Sequence, residues 1–123
     1  MLKFNSLLLF SEKPDTLVEF YKKVFDKDPD FSDGGYSGFQ LGPGMIVIGP
    51  HDQVKGKNKT PERMLINFET EDIEGDFERI KKEGAHVIKE PYDPNGGEDM
   101  LIATFADPDG NYFQLTSPMK MDN

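Results

Sequence analysis

The chain is predicted to be an α+β protein of two tandem βαβββ modules with a cleft between them. Three observations predict this. An apolar strand near the N-terminus is followed by an amphipathic helix, the same strand-helix order returns about 59 or 60 residues later, and short strands separated by Gly and Pro turns follow each helix.

Residues 3–10 read as the first strand. Residues 14–26 read as a helix, because Leu17, Phe20, Tyr21, Val24 and Phe25 recur at the i, i+3, i+4, i+7, i+8 spacing of one helical face. Pro14 suits the first turn, where its missing N–H costs no intrahelical bond. A strand near 29–32 and strands at 36–41 and 45–49, the last two around Gly42-Pro43-Gly44, complete a first module over about residues 1–50. A connecting loop at about 51–62 leads to a second module at about 63–118. It opens with a strand at 64–70 and a helix at 73–83, in which Ile73, Phe77 and Ile80 share a face and Gly84 is the stop. Strands near 86–89, 100–106 and 111–116 follow. The last two flank Asp107-Pro108-Asp109-Gly110-Asn111, a strong turn former: proline presets φ, the aspartates bond nearby amides, and glycine accepts positive φ.

A length of 123 residues supports a single domain, 1–123, with a real core. The chain has no cysteine, which removes disulfides, thiolate nucleophiles and cysteine-based zinc sites. Fourteen Lys and Arg stand against 23 Asp and Glu, and a net charge of −9 repels a phosphate backbone, so nucleic acid is not an expected partner. That charge is permissive for a cationic small molecule, though it serves solubility first. The N-terminus enters a strand without a signal-peptide layout, and no apolar run approaches the roughly 20 residues of a membrane span; a cytoplasmic, soluble protein without membrane contact is expected.

Strand parity nominates the residues that face a cleft, since alternate side chains point to opposite faces. In the strand from Met64 to Glu69, the even set (Met64, Ile66, Phe68) is apolar and should pack under the helix, leaving Leu65, Asn67 and Glu69 on the other face. In the last strand Phe113 and Leu115 read as core, and Tyr112, Gln114 and Thr116 share the opposite face. A solvated face is the rival reading of each polar set.

The residues resemble the vicinal oxygen chelate superfamily, which includes glyoxalases, extradiol dioxygenases, fosfomycin-resistance enzymes and bleomycin-binding proteins. Three pieces carry the resemblance: the opening strand followed by Pro14 and Phe20-Tyr21, the passage Leu65-Ile66-Asn67-Phe68-Glu69-Thr70-Glu71-Asp72-Ile73, and Asp107-Pro108-Asp109-Gly110-Asn111 before a short strand. The resemblance implies two βαβββ modules whose curled mixed sheets form a cavity, with a divalent metal there in the enzymatic members. It places the four metal-ligand positions on Ser6, near Val47, on Leu65 and on Gln114. Leucine and valine have no lone pair, serine is a poor neutral ligand, and an amide oxygen carries no full charge, so no metal is expected and the family's metal site reads as lost.

His51, Asp52, Asn67 and Glu69 are the candidates for a shifted site, and His51 and Glu69 are the candidate catalytic residues. Imidazole ordinarily titrates near neutrality, whereas a polar loop is the plainer role for His51. His86 reads as structural or exposed. Asp107-x-Asp109-Gly110-Asn111 is not a calcium loop, because its glycine comes too early and Pro118 occupies the twelfth position. Gly56-Lys57-Asn58-Lys59-Thr60 lacks the spacing of a phosphate loop. Lys55, Lys57 and Lys59 read as a solvated loop, or as a lid that captures an anion.

Three functions compete. The first is a metal-free binder of the bleomycin-resistance type, holding an aromatic or cationic small molecule. Its walls would be Phe10, Tyr36, Phe39 and Tyr112, and Ser6, Asn67, Glu69 and Gln114 would make its polar contacts. The resemblance implies a homodimer for such proteins. The second is a divalent-metal-dependent lyase, isomerase or dioxygenase of the glyoxalase kind with a non-standard site. The third is an interaction module whose cavity is filled.

Overall fold

In the computed structural model, which describes residues 1–97 and 100–118, β1 (Ser6–Phe10) and α1 (Pro14–Phe25) precede β2 (Phe31–Asp33), β3 (Tyr36–Leu41) and β4 (Gly44–Gly49). A 3-10 turn, Pro61–Arg63, leads to β5 (Leu65–Glu69), α2 (Ile73–Lys82), β6 (His86–Tyr92), β7 (Ile102–Ala106) and β8 (Tyr112–Thr116). The βαβββ order therefore occurs twice. The strands form two four-stranded mixed sheets, sheet A in the order β1-β4-β3-β2 and sheet B in the order β5-β8-β7-β6. In each, the first and last strands of the module run parallel and the remaining pairs antiparallel. Two compact units result, Met1–Gly56 and Lys57–Asn123. Among the described residues no helix is long and apolar enough to cross a membrane.

The helices form where their caps permit. Pro14 stands at the start of α1, and Asp26 ends that helix in the left-handed region (φ 53°), its N–H returning to Lys22 O. Asp72 caps α2 by accepting the Gly75 N–H at 3.0 Å. Leu17, Tyr21 and Val24 of α1 are buried with Phe39, Ile46 and Ile48 of sheet A. The rings of Tyr21 and Phe25 stack at 5.2 Å, and Phe25 meets Phe39 edge-on at 5.1 Å. Ile73, Phe77 and Ile80 of α2 are buried in the same way, with Phe77 on Phe105 at 5.2 Å and Phe105 on Phe113 at 5.4 Å. Each such fully buried ring contributes about 1.5–3 kcal/mol of transfer free energy.

Several boundaries differ from expectation. β1 begins at Ser6 because its partner β4 begins at Gly44 and the register sets Ser6 opposite Met45; Lys3 and Phe4 have no strand beside them. Met64, expected under α2, is 63% exposed, because it lies before the first β5–β8 pair, Leu65 with Tyr112. β6 runs on through Pro91 to Tyr92 with register shifts against β7. An edge strand tolerates this, since a proline that cannot donate costs no ladder bond on the open side.

Candidate functional site

Register decides what each sheet presents away from its helix. Phe39 touches Phe25 of α1 and pairs with Ile46, so the face carrying Phe39, Ile46 and Ile48 is the helix-covered one. Ser6, Phe10, Tyr36 and Val47 all have the opposite parity and share the open face of sheet A. Phe39, expected as a cavity wall, is 0% exposed beneath α1 and is a core residue. The expectation failed because Tyr36 and Phe39 are three apart in one strand, which puts them on opposite faces.

Sheet B obeys the same logic. Phe113 and Phe105 lead to Phe77 of α2, and Ile66 and Phe68 share their side. Leu65, Asn67, Glu69, Tyr112 and Gln114 are therefore together on the open face. Asn67 and Glu69 are exposed, whereas Tyr112 and Gln114 are half-buried. Gln114 Nε2 donates to Thr104 Oγ1 at 3.3 Å, across the β7–β8 pair. Thr104 is only 7% exposed and was not foreseen as part of the site. The turn could have found it: once Ala106 and Tyr112 close the hairpin, counting back along both strands sets Thr104 opposite Gln114.

His51 follows β4 in the first unit, its ring edge-on to Phe10 at 5.1 Å. Its Nδ1 accepts the Gln53 N–H at 3.1 Å and stands 3.4 Å from an Asp52 oxygen. A neutral ring accepting at Nδ1 carries its proton on Nε2, so Nε2–H is what His51 can offer a ligand. A shallow recess of about 360 Å³ opens here, lined by Ser11, Glu12, His51 and Lys55 among others. Glu12 Oε1 accepts the Gly56 N–H at 3.0 Å, and Asn58 N–H donates to Asp109 O at 2.8 Å in the second unit. The lysine-rich loop is thus tied down at Gly56 and at Asn58.

Two groups on the surface of the first unit have displaced titration. Lys27 and the Gln40 N–H hold the Asp30 carboxyl below the usual range, and Asp28 with Glu19 raises Lys22. Both groups belong to surface pairs around the α1–β2 connection.

A divalent ion fits poorly at the positions the resemblance nominates. Ser6, Val47, Leu65 and Gln114 offer a hydroxyl, two alkyl groups and an amide, with no imidazole and no carboxylate. Among the described residues no three His, Cys, Asp or Glu side chains are grouped to hold a metal.

Residues 3–115 match the family model described as Glyoxalase/Bleomycin resistance protein/Dioxygenase superfamily. No curated protein matches the sequence. Solved structures share the fold. A glyoxalase/bleomycin resistance protein/dioxygenase family enzyme from Burkholderia phytofirmans PsJN is 19% identical with a TM-score of 0.73, covering 94% of this chain and 98% of its own. A glyoxalase-related enzyme from Fulvimarina pelagi is 16% identical with a TM-score of 0.75, covering 100% and 96%. TioX from Micromonospora sp. ML1 is 14% identical with a TM-score of 0.72, covering 95% and 99%.

Proposed function

The chain belongs to the glyoxalase/bleomycin resistance protein/dioxygenase superfamily, and from that premise we propose that it binds a small molecule on its open sheet faces without a metal ion. One observation carries the reading: the positions where the family resemblance expects metal ligands lie on the open faces, yet hold Ser6, Val47, Leu65 and Gln114. Such side chains suit direct contact with an organic ligand better than coordination. On sheet A, Leu8 at 50% exposure and Phe31 at 41% supply apolar surface beside Phe10 and Tyr36, and on sheet B Leu65 at 44% does so beside Tyr112. Ser6, Asn67, Glu69 and Gln114 are the few polar groups that give such a surface orientation.

The ligand in this reading is aromatic or cationic, since rings stack on Tyr and Phe and the chain carries a net charge of −9. The family resemblance implies pairing of two copies, and a homodimer is part of the proposal. So is a cytoplasmic location, where a chain without disulfides needs no oxidising compartment.

Metal analysis of the purified protein, joined to thermal-shift measurements with aromatic amines in the presence of a chelator, tests the reading. A melting temperature that rises with the amine in chelator supports it, because a ligand selective for the native state stabilises by mass action. Stoichiometric metal that disappears on His51→Ala or Glu69→Ala overturns it in favour of a metal-dependent lyase, isomerase or dioxygenase.

A further inference from the structure

Asn67 of β5 pairs with Gln114 of β8, and Gln114 pairs with Thr104 of β7. The three uncharged polar side chains stand in one row across the open face of sheet B. Neighbouring strands are about 4.8 Å apart, so the row is roughly 10 Å long. On one side of it lies the row Leu65, Tyr112 and Ala106, which is apolar apart from the tyrosine hydroxyl.

Hydrogen bonding within the row is half complete. The Gln114 amide is oriented by its bond to the nearly buried Thr104, which uses Nε2 and leaves Oε1 as an acceptor with no partner among the described residues. The exposed Asn67 amide likewise has no bonded partner among them. An amide has one acceptor oxygen and two donor hydrogens. Gln114 and Asn67 therefore present acceptor and donor side by side, one strand spacing apart and without net charge. Water satisfies an exposed amide in any orientation. A threonine that holds one amide still gives the preorganisation that recognition rewards.

We propose that Asn67 and Gln114 recognise the hydrogen-bonding edge of a neutral planar heterocycle or amide, a group with adjacent N–H and C=O, while Leu65 and Tyr112 cover its ring. This rests on the reading that the open faces bind a small molecule, and it names the chemistry of that ligand. The match is the one by which Asn or Gln reads the edge of a base through two bonds. A carboxylate finds no counter-charge in the row, and neither does an ammonium, for which the nearest carboxylate on the face is Glu69 in the next row.

Titration calorimetry with uracil and nicotinamide as neutral probes, against benzoate and benzylamine as charged probes, tests this on the wild type, Asn67→Ala and Gln114→Leu. The neutral probes should bind more tightly than the charged ones, and each substitution should weaken them roughly tenfold, the loss of one hydrogen-bonded contact. Asn67 is exposed, so Asn67→Ala reports binding even where Gln114→Leu harms folding. Equal binding of all four probes, dependent on Tyr112 but not on residue 67 or 114, overturns the amide assignment and leaves open-face binding standing. A preference for a charged probe does the same. If no probe binds, both readings fall. A fall in molar mass by light scattering on Asn67→Arg identifies the face as an interface between copies and overturns the assignment as well.

Discussion

The ring of Tyr36 on β3 covers Gly49 on β4, so that a Cβ at residue 49 would clash with the ring. Phe31 covers Gly38 across β2–β3 in the same way. A bare glycine weakens a strand, and an aromatic ring folded over it restores cover. Gly49→Ala should therefore displace Tyr36 and destabilise the protein by about 1–3 kcal/mol, the usual cost of overpacking. Urea unfolding measures this, and an unchanged midpoint would remove the contact from the account.

Asp107 organises the turn between β7 and β8. It is 5% exposed, and its Oδ1 accepts the backbone N–H groups of Asp109 at 2.9 Å and Asn111 at 3.0 Å. The turn in turn holds Asn58, whose Nδ2 donates to Asn111 Oδ1 at 3.0 Å. Asp107→Ala should cost at least about 2 kcal/mol, since bonds to a charged acceptor contribute about 1.5–3 kcal/mol each. Asn58→Ala, at an exposed site, should cost about 0.5–1.5 kcal/mol. Thermal unfolding of the two variants gives the ranking, and a larger loss at Asn58 would reverse the roles assigned here.

Much of this was legible beforehand, because periodicity and turn chemistry are local. The α1 face, the Asp107–Asn111 turn and the open-face set on β5 and β8 follow from 3.6- and 2-residue repeats that need no knowledge of neighbours. Phe39, Thr104 and the glycine-covering rings were not legible in that way. Each depends on which residue stands across the ladder, and register is a relation between strands rather than a property of one. Asp33-Gly34-Gly35-Tyr36 carried the missing signal for β2 and β3: Gly34 and Gly35, at φ 61° and 88°, make a two-residue hairpin that fixes Phe31 opposite Gly38.

Acid should weaken a surface staple in the first unit. Asp30 Oδ2 accepts from Lys27 Nζ at 2.8 Å and from the Gln40 N–H at 2.7 Å, and these lower its pKa. A carboxyl whose folded pKa lies below the unfolded value adds stability above the unfolded pKa and loses it as pH falls through the folded one. The melting-temperature gap between wild type and Asp30→Asn should be open at neutral pH and close on acidification through and below the usual carboxylate range. The site is exposed, so the gap should be small and should shrink in high salt. A gap that widens in acid would contradict the sign.

The last prediction restores what the open faces lack. Imidazole and ionised carboxylate are the ligands that hold zinc, nickel or manganese, and Leu65, Asn67 and Gln114 supply neither. Leu65→His, Asn67→His and Gln114→Glu together, all on the open face of sheet B, should create divalent-metal binding that the wild type and each single variant lack, read by calorimetry with zinc and nickel chloride. The substituted positions are half-buried or exposed, so the fold should tolerate new polar side chains. Gln114→Glu alone should lose stability, because it half-buries a carboxylate with no cation in its row. Metal binding should restore that loss in the triple variant, making its melting temperature depend on metal concentration. A triple variant that folds but binds no metal would show that these positions do not converge on one site. Binding by the wild type as tight as that of the triple variant would place a metal site on other residues.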